Sequence, residues 1–231
     1  MKAFSALATA ALIVLGASPL SASAASKNSY DWSGYVARDG GFSSVSGAWS
    51  VPRVEPRGSA GSSELASWVG IGGANGAHDL IQTGTNAIVA NGNVSYTAWY
   101  ELYPAPSVIV PLSVSAGDSI FASVAALGGG RWFIYIEDRS TGGSYHAIVH
   151  YRSTGSSAEW IVERPWTANG QTELPAFSGA AFTRMFARKN GTTITPATSP
   201  ADKLTLISRR GIPLLSPSAL SHAGSFVVRA L

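Results

Sequence analysis

Beyond the first thirty or so residues, short runs rich in Val, Ile, Trp, Tyr and Phe are separated by Gly, Asn, Ser and Pro, and no long stretch repeats at the helical period. The pattern predicts strands near 67–71, 94–103, 131–137, 145–151 and 159–162, with weaker candidates continuing to Val228. Between them, Asp39-Gly40, Asn91-Gly92, Gly128-Gly129-Gly130, Gly142-Gly143 and Asn190-Gly191 supply residues that tolerate positive φ, as tight antiparallel connections require. Many short strands with small residues favour two packed antiparallel sheets over a small barrel, because packing buries alternate residues of every strand. There is no internal repeat and no low-complexity linker.

The start of the chain breaks this pattern. Lys2 is followed by a largely apolar stretch from Leu7 to Ala17 and by Ala22-Ser23-Ala24, which reads as a signal peptide over residues 1–24 cleaved after Ala24. The apolar run is shorter than the roughly 20 residues a bilayer span needs, so the mature protein is expected to be secreted, soluble and free of membrane contact. Residues 25–231 suit a single domain with a sizeable core. Monomer is the default assembly.

Charge and cysteine content narrow the function classes. Without Lys2 the chain carries 15 basic against 13 acidic residues, too balanced and scattered for a nucleic-acid partner. The sequence has no cysteine, which excludes disulfides, thiol catalysis and Cys-based zinc sites. No Gly-x-Ser-x-Gly elbow occurs either. His146 and His150 have the spacing of a helical zinc pair, but their flanks are strand-like. On a strand they would stand about 13 Å apart, too far to share one ion.

More telling is Trp99-Tyr100-Glu101-Leu102-Tyr103, where strand alternation puts Trp99, Glu101 and Tyr103 on one face. That makes an aromatic wall carrying one carboxylate, suited to an extended peptide. Glu163 is followed by Arg164, and alternation sends the two to opposite faces, which argues against a simple surface ion pair.

Several blocks together resemble the glutamic peptidases, or eqolisins. They are Trp32-Ser33-Gly34, Trp49-Ser50-Val51-Pro52, Trp68-Val69-Gly70-Ile71, Ile81-Gln82-Thr83-Gly84, Tyr96 to Pro104, Gly117-Asp118, and Ala158-Glu159-Trp160-Ile161-Val162-Glu163. The resemblance covers much of residues 31–166. It implies a β-sandwich of two bent antiparallel sheets, of concanavalin A-like or jelly-roll type, with a substrate groove on a concave face. It also implies that Gln82 and Glu163 take the catalytic positions, that Trp68, Trp99 and Glu101 line or support the groove, and that Glu159 is structural. Tyr103 joins the supporting set from its place on the Trp99 face. Protein or peptide substrates follow, with no metal and no cofactor.

For such a pair the expected chemistry is direct: ionised Glu163 takes a proton from water, the water attacks the peptide carbonyl, and the Gln82 amide donates to the oxyanion. Glutamate titrates in mild acid, so an acid endopeptidase of broad specificity is expected. In well-known fungal members, aspartates stand where this chain has Gly72 and Thr97, which leaves a thinner acidic network. Two rival readings are a carbohydrate-binding or carbohydrate-cleaving sandwich and a non-catalytic relative that keeps the groove for peptide binding. Glu159 with Glu163 is a poor glycosidase pair, since a retaining enzyme holds its carboxyls about 5–5.5 Å apart.

Overall fold

The computed structural model describes residues 24–56, 62–74, 76–168 and 170–231. Apart from Ala24, the expected signal peptide lies outside the described residues. These form strands and turns, with no helix among them. The predicted strands appear as Ser62–Gly72, Asn93–Tyr103, Arg131–Asp138, Ser144–His150 and Ala158–Glu163, the fourth shifted by one residue and the others longer than predicted.

One hydrogen-bonded path links the main strands. It runs through Ser144–His150, Arg131–Asp138, Ser119–Gly128, Phe42–Ser50 and Ala180–Lys189 to Phe226–Ala230 and Pro213–Pro217. It then continues through Ala201–Ile207, Trp32–Ala37, Ala158–Glu163, Ser62–Gly72, Leu80–Ala90, Asn93–Tyr103 and Val108–Val110. Neighbours along this path are antiparallel, and Ala25–Ser29 adds in parallel beside Ala201–Ile207. The path folds back on itself, so that Phe42–Ser50 and Ser119–Gly128 pack against Ser62–Gly72. The sheets are therefore two layers of a sandwich joined through the strands near the C-terminus.

The core between the layers holds Trp49, Trp160, Tyr35, Phe182 and Phe226, each fully buried or nearly so. An aromatic side chain removes about 150–250 Å² from water, but an indole N–H cannot be left unpaired there. Trp49 Nε1 donates across the layers to Thr85 Oγ1 at 3.0 Å, and Trp160 Nε1 donates back to the Ser46 carbonyl at 2.8 Å.

The hairpin joining Leu80–Ala90 to Asn93–Tyr103 turns on Asn91 and Gly92, with φ of 50° and 77°. Positive φ at both central residues of a two-residue loop matches the twist of the flanking strands. It thereby sets the register that places Gln82 opposite Glu101.

Candidate active site

Register decides which side chains meet, because residues directly opposite one another in neighbouring strands share a face. Glu159, Gly70, Gln82 and Glu101 form one row across four strands. Ile161, Trp68, Gly84 and Trp99 form the next, and Glu163, Ala66, Asn86 and Thr97 the one after. All sit on the face turned away from the core between the layers. A second apolar cluster of Val36, Ala66, Trp68, Leu80, Trp99 and Ile161 covers this face.

The middle row explains the floor. A Cβ on Gly84 would lie 2.5 Å from Trp68 Cβ and 2.4 Å from the Ser67 carbonyl oxygen, so only glycine lets the Trp68 backbone approach this closely. Over the floor lies a groove of about 600 Å³, lined among others by Gln82, Trp99, Glu101, Tyr103 and Glu163.

The structure brings the expected residues together. Trp68 is fully buried, and its indole Nε1 donates to Glu163 Oε2 at 2.7 Å. Its ring is not part of the groove's lining, and it packs against Trp32 in a T-shaped pair with ring centroids 5.1 Å apart. Gln82 is buried, and its Nε2 donates to Glu101 Oε2 at 2.5 Å. A primary amide has two N–H donors, so one remains after this bond. Gln82 Oε1 and Trp99 Nε1 are buried with no partner among the described residues. Tyr103 is half exposed at the rim. Arg164 turns away from Glu163 and bonds the Thr172 carbonyl and Glu173, as alternation predicts.

The sequence profile of the Peptidase A4 family matches residues 30–228. This chain belongs to the Peptidase A4 family, the glutamic peptidases. It is 30% identical over 192 residues to aspergillopepsin-2 of Aspergillus niger, a match spanning 73% of this chain and 68% of that protein. Scytalidopepsin B of Scytalidium lignicola is 33% identical over 139 residues, 58% of this chain and 51% of that protein. Among solved structures, scytalido-glutamic peptidase with a transition state analog inhibitor superposes with a TM-score of 0.74 at 26% identity. That superposition covers 87% of this chain and 98% of the other.

In this glutamic peptidase the groove also contains residues that sequence reasoning passed over. Asn86 stands one row from the Trp68 floor, and its Nδ2 donates to Glu64 Oε1 at 2.5 Å. Asp31 accepts from the indole of Trp166 at 2.8 Å and from Gln171 at 2.9 Å. His78 and Asp79 line the opposite end. For Glu64 and Asn86 a signal was present: they lie four residues from Trp68 and Gln82, on the same strand faces.

Burial raises the carboxyls here. It pushes Glu163 up to about 8; the Trp68 bond opposes that rise, Glu101 and Asp31 add to it, and Trp32 opposes it. Glu101 is raised by burial and pulled down by Gln82, while Glu64 is raised by burial alone. Glu159 is fully buried with neither oxygen hydrogen-bonded among the described residues, and burial raises it well above the usual carboxylate range. The Ser157 hydroxyl near it donates to the Gly72 carbonyl. Glu159 therefore lies outside the lining of the groove, where burial favours its protonated form.

Proposed function

We propose that this glutamic peptidase is a secreted endopeptidase that hydrolyses peptide bonds by direct attack of water, with Glu163 as base and then acid and Gln82 as oxyanion donor. One observation carries the reading: a carboxyl and an amide open into the same groove, each held by its own partner, Glu163 by Trp68 and Gln82 by Glu101.

The ionised Glu163 takes a proton from water as the water oxygen bonds to the scissile carbonyl carbon. Negative charge moves to the carbonyl oxygen, where the free N–H of Gln82 stabilises it. Glu101 fixes that amide in advance, so little reorganisation is needed as the charge develops. The protonated Glu163 then gives its proton to the amide nitrogen, the C–N bond breaks, and a carboxylic acid and an amine leave. No covalent intermediate forms.

Ionisation of Glu163 bears on the expected acid activity. Burial raises the Glu163 carboxyl to about 8, so its base form grows about tenfold per pH unit from mild acid towards neutrality. A base-first mechanism thus draws the working range of this peptidase upwards from strong acid, in keeping with Gly72 and Thr97 at places where fungal relatives carry aspartates. The leader-like residues 1–24 support export, and residues 25–231 are the proposed working domain, acting as a monomer on protein or peptide substrates. Among the described residues no helix is long and apolar enough to cross a membrane.

A carbohydrate-cleaving role finds little support in this geometry, because Glu159 is buried beyond a sugar's reach and Glu101 is committed to Gln82. The test is cleavage of a denatured protein by purified residues 25–231 from pH 2 to 8, beside folded Glu163→Gln and Gln82→Ala variants. Loss of cleavage in both supports the dyad, whereas wild-type rates in Glu163→Gln would sink it. A kcat/KM that climbs towards pH 8 fits Glu163 starting as base. A plateau in acid that falls only as the pH approaches 8 would make it the initial acid, protonating the carbonyl oxygen.

A further inference from the structure

The groove does not end at Tyr103. His78, Asp79 and Tyr103 also border a second cavity of about 610 Å³, completed by Pro104, Gly129, Gly130, His150, Tyr151 and Arg152. The shared wall is pinned: the Tyr151 hydroxyl accepts the Leu80 amide at 2.8 Å and donates to the Tyr103 carbonyl at 2.5 Å. It thus ties the mouth of the second cavity to the strands that carry Gln82 and Glu101.

The two adjoining cavities differ in charge. Asp31 and Glu64 stand at one end, with Glu163 and Glu101 between. At the other, Arg152 is exposed and forms no ion pair among the described residues, and Arg131 stands directly opposite His150 in the ladder. His78 and His150 add imidazoles that can donate hydrogen bonds. The acid at this end, Asp79, has both oxygens occupied, accepting the Thr154 amide at 2.7 Å and its hydroxyl at 2.9 Å. Arg152 therefore shares the cavity with one carboxylate that is already satisfied within the protein, and Arg131 stands on the neighbouring strand beside it. An arginine fork suits a carboxylate, and none is supplied to Arg152 internally.

We propose that this second cavity is a substrate subsite for a carboxylate, either an Asp or Glu side chain or the terminal carboxylate of the peptide, a few residues from the bond being cut. The proposal rests on the peptidase reading and adds a preference to it: peptides bind with their acidic part at the arginine end and their neutral or basic part towards Glu64 and Asp31. Register along the groove, and hence the bond presented to Glu163, is then chosen partly by charge.

The experiment measures binding and cutting separately. Peptides of one sequence carry Glu or Gln near either end, with both termini blocked. A further pair differs only in a free or amidated C-terminus. Binding to the folded Glu163→Gln chain is followed by tryptophan fluorescence, and cleavage by the wild type is assayed in parallel. One Glu placement, or the free terminus, is expected to tighten binding about fivefold over its neutral partner, less so in high salt. The Glu/Gln ratio is expected to fall to near one in Arg152→Gln, with a thermal melt establishing that the variant is folded. Which pair responds separates a side chain from a terminal carboxylate. Equal binding of acidic and neutral peptides in every arrangement would overturn the subsite, as would a preference that survives Arg152→Gln combined with Arg131→Gln. Acidic preference without any cleavage would uphold the subsite and overturn the peptidase reading.

Discussion

The hairpin Arg131–Asp138 with Ser144–His150, and the central pair Ser62–Gly72 with Ala158–Glu163, use the same antiparallel ladder but meet different surroundings. In Arg131–Asp138, burial alternates residue by residue, with Trp132, Ile134 and Ile136 inward and Phe133 and Tyr135 partly open to solvent. In the central pair, burial is almost unbroken, because one face packs on the other layer and the opposite face forms the floor of the groove. The difference shows where polar residues carry meaning. On the hairpin an outward polar side chain meets water and costs nothing. In the central pair a polar group is costly unless it finds a partner: Glu163 accepts from Trp68, and burial raises both it and the unpaired Glu159 above the usual carboxylate range.

The sharpest contrast is catalytic. Glu163→Gln is expected to lower kcat/KM on a peptide by at least about 10³-fold, since general acid–base catalysis is lost. The same change at Glu137 of the hairpin, which pairs with Arg139 near the surface, should alter it less than about twofold. Equal losses would erase the distinction between the regions.

Packing gives the next contrast. Trp160→Ala empties the fully buried inner face of the central pair and breaks its bond to Ser46, and should cost about 3–5 kcal/mol in denaturant unfolding. Ile148→Ala, at a largely exposed position on the hairpin's edge strand, should cost within about 0.5 kcal/mol.

The pH dependence of stability has a definite sign. Glu163 and Glu159 are raised by folding, so the native state binds their protons more tightly than the unfolded chain. Their contribution is fully present below the unfolded carboxylate range and is lost as pH rises, for Glu163 through about 8. The unfolding free energy from denaturant titrations should therefore rise on acidification from pH 8 to 5, by on the order of a few kcal/mol. Glu159→Gln should flatten that slope, and a slope unchanged in this variant would remove Glu159 from the account.

Within the central groove the smallest expected effect is at Glu101. Glu101→Gln replaces a charged acceptor for the Gln82 amide with a neutral one and should reduce kcat by about tenfold, with KM little changed. A rise in KM alone would make Glu101 a substrate contact rather than the residue that positions Gln82.

Much of the fold was legible in the sequence, for local reasons. Alternation marked Arg131–Asp138 and Ser144–His150, and Asn91-Gly92 marked the turn that sets one register. Gln82 and Glu163 stood out only through the blocks shared with the family. Nothing near Gln82 announces that Glu101 will hold it, and Trp68 reads equally well as a core residue or a groove wall. The near-continuous burial of Ala158–Glu163 also hid that Glu159 and Glu163, on one face of one strand, would meet quite different solvent.

By itself the sequence determined what depends on neighbours within a few residues: strand periodicity, turns that need positive φ, the absence of thiol chemistry, and the segments that mark a glutamic peptidase. Tertiary structure decided what depends on distant strands lying side by side. Register set Gln82 against Glu101 and brought Trp68 to Glu163, and folding placed Arg152 in a second cavity that shares His78, Asp79 and Tyr103 with the groove. The physical reason is that cross-strand pairing and desolvation act through space: a carboxyl's partner and its proton affinity are properties of the assembled sheet, not of the residues beside it in the chain.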